Sequence, residues 1–322
     1  MGKRRVPIVL FVFNRPDHAQ RAVAALKKND LAAESELYIY SDGARNEAEA
    51  ESVAKVRAFC RDITGFARVE LIERGENWGI EKSEIAALTE VLGRYEACIV
   101  LEDDLEVGRR FLEYMNLALE RYRDEKKVIV VSGFSYIDAP PWRTRGQQFY
   151  FSQMTASWGW GTWADRWELF DDQNLNLDVL KTKEEQKRFD MDGARGFYQM
   201  LMEQVKNHYI TWDIAWYLKA FELGLLTLTP VHSLVNNIGM DGSGIHYNNE
   251  GINSNQVRNL ERTKEFRFPK EVKLDVAMRN LEVQGIAKLS RRERRKRRIW
   301  KVRTLVRKYL GKLGQRRSGS GT

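Results

Sequence analysis

Residues 98–107, Cys-Ile-Val-Leu-Glu-Asp-Asp-Leu-Glu-Val, constrain this chain more than any other stretch. Cys98 to Leu101 is an apolar run with the length and β-branching of a buried strand. It ends at once in Glu102, Asp103 and Asp104. Three like charges at the end of a buried strand repel one another, so stability alone gives no reason to place them there. A hard divalent cation supplies one: Mg²⁺ or Mn²⁺ takes one or two protein carboxylates and fills its shell with water and phosphate oxygens. The carboxyl ends of strands are also where open α/β sheets bind ligands. The plainer reading is an acidic turn feeding the helix that begins near Arg109, since acids favour a helix N-terminus.

The residues around this stretch alternate strand and helix patterns. Strands are expected at Val6–Phe13, Glu36–Tyr40, Arg68–Ile72, Ala97–Leu101 and Val128–Ser132. Helices are expected at Pro16–Lys28, Glu47–Cys60, Glu84–Arg94 and Arg109–Arg123. This rhythm predicts an α/β fold, a mostly parallel sheet with helices on both faces. No P-loop and no G-x-G-x-x-G follows the first strand, which argues against those modes of nucleotide binding. From residue 134 the composition turns to aromatics and turns, including Ser157-Trp158-Gly159-Trp160-Gly161-Thr162-Trp163. Helical patterns return at Ala194–Lys206 and Ile214–Leu223, with a strand-like Leu225–Leu228. A Gly/Asn-rich loop spans 236–253, of the kind that serves as a lid, and Pro269 onward reads as a linker.

The 322 residues, 43% hydrophobic with nine Trp, suffice for one large domain and an appendage. Cys60 and Cys98 cannot make a disulfide framework, and a reducing compartment fits best. No apolar run approaches 18 residues, and Val6–Phe13 is too short for a signal peptide, so a soluble or peripheral protein is expected. From Lys288 to Arg317 there are 15 Lys or Arg and one acid, Glu293. That surplus of 14 positive charges exceeds the +8 of the whole chain and leaves −6 for the remainder.

Candidate binding residues gather at the expected strand ends. Arg15 offers a cationic fork to a nucleobase carbonyl or a phosphate, and Asp42 an acceptor for a base N–H or a ribose hydroxyl. Gly43 and Gly79 would allow backbone to approach a ligand. Taken singly, Asn14-Arg15-Pro16 and Ser41-Asp42-Gly43 also read as ordinary turns. Asp213 precedes an apolar-periodic helix, so it is a helix cap, a general base beside the Trp212 aromatic wall, or both. Trp160 and its neighbours read equally as core and as a surface on which sugar rings stack. His246, the one His of the Gly/Asn loop, is a surface residue or a phosphate or metal contact.

In this order, these residues resemble the GT-A glycosyltransferases, specifically the N-acetylglucosaminyltransferase I-like group and family 2-like bacterial sugar transferases. The matching blocks are Val6–Arg21, Tyr40–Gly43, Ile99–Tyr114, Ser157–Trp167 with Trp212–Trp216, and Gly239–Tyr247. The resemblance implies a GT-A domain over 1–270, with a nucleotide-sugar-binding half (1–133) and an acceptor and catalytic half (134–270). It implies inverting, Mn²⁺- or Mg²⁺-dependent transfer of a hexose or N-acetylhexosamine from a UDP-sugar to a hydroxyl. By position Asp104 corresponds to the metal ligand, Asp103 to the ribose contact and Glu102 to a residue near the donor sugar. Arg15 and Asp42 match uracil recognition, and Asp213 after Trp212 matches the catalytic base. Ser243, Gly244 and His246 match a segment that closes over bound donor. Lys82 is a candidate phosphate contact.

The stretch 271–322 is expected as a linker and a basic amphipathic helix. Trp300, Leu305 and Leu310 recur at near-helical spacing beside the cationic run Arg291–Arg298, which suits an anionic membrane surface. That points to a cytoplasmic enzyme, peripheral at the inner membrane face, acting on a glycan or polyprenyl-linked acceptor. No further nucleic-acid module is evident, so nucleic acid is not an expected partner. The competing functions are a sugar-nucleotide pyrophosphorylase, whose Gly-rich basic loop is replaced here by Phe13-Asn14-Arg15-Pro16, and a non-catalytic membrane-surface protein of the same fold.

Overall fold

The computed structural model of the chain describes residues 5–239 and 265–291. Its first half follows the alternation: β1 (Ile8–Val12), α1 (Pro16–Lys27), β2 (Glu36–Ser41), α2 (Glu47–Arg61), β3 (Arg68–Glu73), α3 (Gly79–Leu92) and β4 (Ala97–Glu102). These four strands are parallel neighbours in the order β3-β2-β1-β4. The chemistry of β1 explains its central place. All five residues are buried, and side chains alternate between the two faces. Ile8, Leu10 and Val12 pack with α1, α2 and, further along the chain, residues 111–119. Val9 and Phe11 pack on the opposite face with Leu88 and Val91 of α3. The register sets Phe11 beside both Tyr40 and Glu102, so these three strands finish level with one another.

Next come β5 (Leu105–Val107), α4 (Phe111–Arg121), β6 (Val128–Ser132), β7 (Phe149–Ser152), β8 (Trp160–Trp163), α5 (Ala164–Trp167), α6 (Lys183–Phe189), α7 (Phe197–Lys206), α8 (Trp212–Glu222), β9 (Leu226–Pro230) and β10 (Val235–Asn237). Among the described residues, eight strands form one sheet in the order β3-β2-β1-β4-β8-β6-β9-β7, with β8 and β7 antiparallel to their neighbours. The expected mostly parallel α/β architecture is therefore present. The Trp-Gly stretch proves to be β8, wedged between β4 and β6. Gly161 sits where an added Cβ would press on the Cys98 carbonyl and on Met115 and Leu119 of α4. Its glycines let α4 lie close to the sheet, and its tryptophans fill the core. A second, two-stranded ladder pairs β10 with β5 and sets Asn237 opposite Leu105, next to Asp104.

The expected linker from Pro269 is corrected by the structure. Phe268 stacks on Phe149 at 4.9 Å, and the Tyr122 hydroxyl donates to the Pro269 carbonyl. Residues 276–291 are helical and bury Met278, Leu281 and Ile286. Buried Glu282 accepts hydrogen bonds from Tyr150 and Ser152 of β7, and Arg279 pairs with Asp192. Inside this helix, Gly285 lies against the Tyr136 carbonyl, where no side chain fits. The basic run 292–317 lies outside the described residues, as does the segment 240–264.

Candidate active site

A cavity of about 770 Å³ opens where β1, β2 and β4 end, and it extends to β8, α3, α7 and the first turn of α8. Arg15, Asp42, Glu102, Asp103, Asp104, Trp160, Trp212 and Asp213 all line it. The level strand ends bring in the first five, and α8, packed on the same sheet face as α3, brings in the last two.

Arg15, held at the N-terminus of α1, forms ion pairs with Asp103 and, at 3.0 Å, with Asp104. Asp103 is buried and also accepts from the Phe13 amide. Burial pushes its carboxyl up to about 6, against the pull of Arg15. Burial pushes Glu102 well above the usual range, reinforced by the charges of Asp104 and Asp103. Asp104 differs: one oxygen faces Arg15, while the other, Oδ1, is buried with no hydrogen-bond partner among the described residues. Among those residues no group of three or more His, Cys, Asp or Glu is set to hold a metal. A single carboxylate with a free buried oxygen, completed by phosphate and water, still fits the way Mg²⁺-type ions are bound. Gly239, just past β10, sits where a Cβ would overlap the Asp104 carboxylate, and the Ile238 amide donates to the Asp104 carbonyl. The chain leaving β10 thus passes directly over the acids.

Asp42 reaches the cavity, and its carboxylate is already engaged. It accepts from the amides of Gly43, Trp78 and Gly79 at 2.8–2.9 Å. It thereby caps α3, whose first N–H groups have no local partner. Gly43 is required for a different reason from the one expected: an added Cβ would collide with the Glu76 backbone. Gly79 has φ +75° and open space around it, and it lines the cavity. Lys82 is not brought to the cavity lining; its ammonium lies 4.2 Å over the Trp78 ring. His246 lies outside the described residues. Trp160 is fully buried in β8 and stacks on Trp212 with ring centroids 5.2 Å apart, so it backs the cavity as core.

Two carboxylates that the sequence reading missed complete the wall. Glu81 and Glu84 sit three residues apart on α3 and face the cavity. Glu81 accepts from the Trp212 amide at 2.6 Å, and burial pushes its carboxyl up to about 7, with Asp213 and Asp172 adding to the effect. Glu84 is fully buried, with Oε2 unpartnered among the described residues. Burial and the charge of Glu102 raise it well above the ordinary value. Asp213 is exposed, lines the cavity and accepts from the adjacent Ile214 amide. The Glu81 contact therefore fixes the start of α8, and with it the position of Asp213.

Comparison with known proteins assigns the chain to a family. The sequence profile of glycosyl transferase family 2 matches residues 8–203, and the chain belongs to that family. It is a glycosyltransferase that moves a sugar from a nucleotide sugar. Comparison with curated proteins found no match. Among solved structures the chain is similar to the mannosyltransferase PcManGT from Pyrobaculum calidifontis, solved with GDP-Man and Mn²⁺. The identity is 12% over 68% of this chain and 70% of that one, with a TM-score of 0.36. It is also similar to S. aureus TarS at 11% identity over 71% of this chain and 35% of that one, with a TM-score of 0.33. The family assignment rests on the sequence profile.

Proposed function

We propose that the chain is an inverting, divalent-metal-dependent hexosyl- or N-acetylhexosaminyltransferase using a UDP-sugar, with Asp104 as metal ligand and Asp213 as general base. The observation that carries this reading is that Asp104, with its unpartnered oxygen, and solvent-facing Asp213 line one cavity. A bound Mn²⁺ or Mg²⁺ would offset the negative charge that grows on the departing diphosphate. Arg15 presents its guanidinium to the same space for the uracil or the phosphates, and Asp103 and Glu102 face ribose and sugar. Asp213 takes the proton from an acceptor hydroxyl. That oxygen then bonds to C1 of the sugar as the bond from C1 to the diphosphate oxygen breaks, and the electron pair leaves with the nucleotide. Attack from the face opposite the leaving group inverts C1.

Lys82, stacked on Trp78, and His246 remain proposed phosphate contacts that would need to reach the cavity when donor binds. The basic tail is proposed to hold the enzyme on an anionic membrane beside a lipid-linked glycan. Among the described residues no helix is long and apolar enough to cross a membrane. Membership of the transferase family argues against the pyrophosphorylase alternative. The test is nucleoside diphosphate release from a panel of nucleotide sugars with Mn²⁺. Asp213→Asn should keep nucleotide binding and lose transfer by about 10²–10⁴-fold. Full activity in that variant rules out the assigned base.

A further inference from the structure

Trp160, read equally as core and as a sugar-stacking surface, is buried in β8, while the cavity carries an exposed aromatic ring elsewhere. Tyr209 is 57% exposed and lines the cavity four residues before Asp213. It lies close enough to Glu81 and Asp213 for their charges, after burial, to raise its phenol pKa. Ile80, on the α3 side, is also exposed and lines the same cavity.

The loop that presents Tyr209 is braced. His208 adopts φ +52° as the residue just past the end of α7, and its amide donates to the Val205 carbonyl, an ordinary left-handed helix end. The Tyr209 amide donates to the Gln204 carbonyl. The Gln204 side chain accepts from the Thr211 amide at 2.9 Å and exchanges a hydrogen bond with its hydroxyl. A large aromatic ring is thus held in solvent on the wall of the cavity that Asp213 also lines.

We infer that Tyr209 is the platform of an acceptor subsite that takes the apolar C–H face of a neutral sugar ring and presents one of its hydroxyls to Asp213. The assignment rests on the reading of Asp213 as base. Aromatic faces pair with such C–H surfaces and contribute geometry as well as area. The surrounding charge selects the nucleophile. Asp213, exposed in the same cavity as the ring, offers an acceptor to a hydroxyl and repels a phosphate nucleophile. The acceptor is therefore a carbohydrate hydroxyl, whatever carries that carbohydrate.

The test measures transfer from the preferred nucleotide sugar to methyl glycosides and to di- and trisaccharides in the full chain, Tyr209→Ala and Tyr209→Trp. The expected result is a rise of about tenfold in the KM for the saccharide in Tyr209→Ala, with the donor KM within about twofold, and recovery in Tyr209→Trp. A general loss of structure would move both KM values and would not be rescued by Trp. An unchanged saccharide KM in Tyr209→Ala overturns the inference. So does an unmodified protein that consumes donor and glycosylates phosphate monoesters but no saccharide. An unmodified protein that consumes no nucleotide sugar overturns the transferase reading and the subsite with it.

Discussion

Glu282 ties the helical segment 276–291 to β7, and its burial makes that tie dependent on pH. Its carboxyl is pushed up to about 7 by burial, only partly offset by the hydrogen bonds of Ser152 and Tyr150 and the charge of Arg279. Between the ordinary value of 4.5 and about 7 the folded chain keeps this proton while the unfolded chain has lost it. The unfolded state binds fewer protons there, so stability falls as pH rises. The loss is under about 1 kcal/mol at pH 5 and approaches about 3 kcal/mol by pH 8. Glu282→Gln removes the titration and keeps the contacts. Its amide accepts from one hydroxyl and donates to the other, and hydroxyls serve in either sense. The variant should therefore gain about 2–3 kcal/mol on the native protein between pH 5 and pH 8, an increase in Tm on the order of 5–10 °C. Parallel urea or thermal unfolding of the two proteins across this range isolates the effect, because all other titrating groups are shared. A stability difference that stays constant with pH, or that favours the native protein at pH 8, would refute the reasoning.

Three further outcomes are expected. Glu81→Ala frees the start of α8 and should lower kcat about tenfold or more through misplacement of Asp213, with donor KM unchanged; kcat within twofold of native would count against a positioning role. Gly239→Ala drives a methyl group into the Asp104 carboxylate and should weaken Mn²⁺-dependent nucleotide affinity in a calorimetric titration, whereas metal-independent affinity stays as it was. A chain ending at residue 291 should no longer sediment with anionic vesicles, each lost basic residue having contributed about 1 kcal/mol; undiminished binding would remove the tail from the membrane account.

Much of the fold was legible because parallel strands buried on both faces read as unbroken apolar runs, as in Ile8–Val12 and Val128–Ser132. β8 was not, because Trp alternating with Gly imitates a turn; only the approach of α4 shows why glycine is needed there. α3 begins five residues before its sequence pattern suggests. Its cap, Asp42, comes from 36 residues away, so no local Ser, Thr or Asp marks the start, and Glu81 falls outside the helix that the apolar pattern predicts. The segment 276–291 was hidden by Gly285, a weak helix former whose value lies in contact with Tyr136. In the site, the acids of residues 102–104, Arg15 and Asp213 were visible as a set. Tyr209 was not, since nothing in its neighbourhood signals that the ring stays in solvent.

Arg15 gives the acidic strand end a resident counter-ion. The electrostatic strain of assembling Asp103 and Asp104 is eased by a side chain of the same molecule. On the proposed metal-dependent reading, chelators should silence the enzyme and leave it folded. On that reading a bound cation would compete with the Arg15 guanidinium for Asp104, and Arg15 would be freed to meet the donor's phosphates.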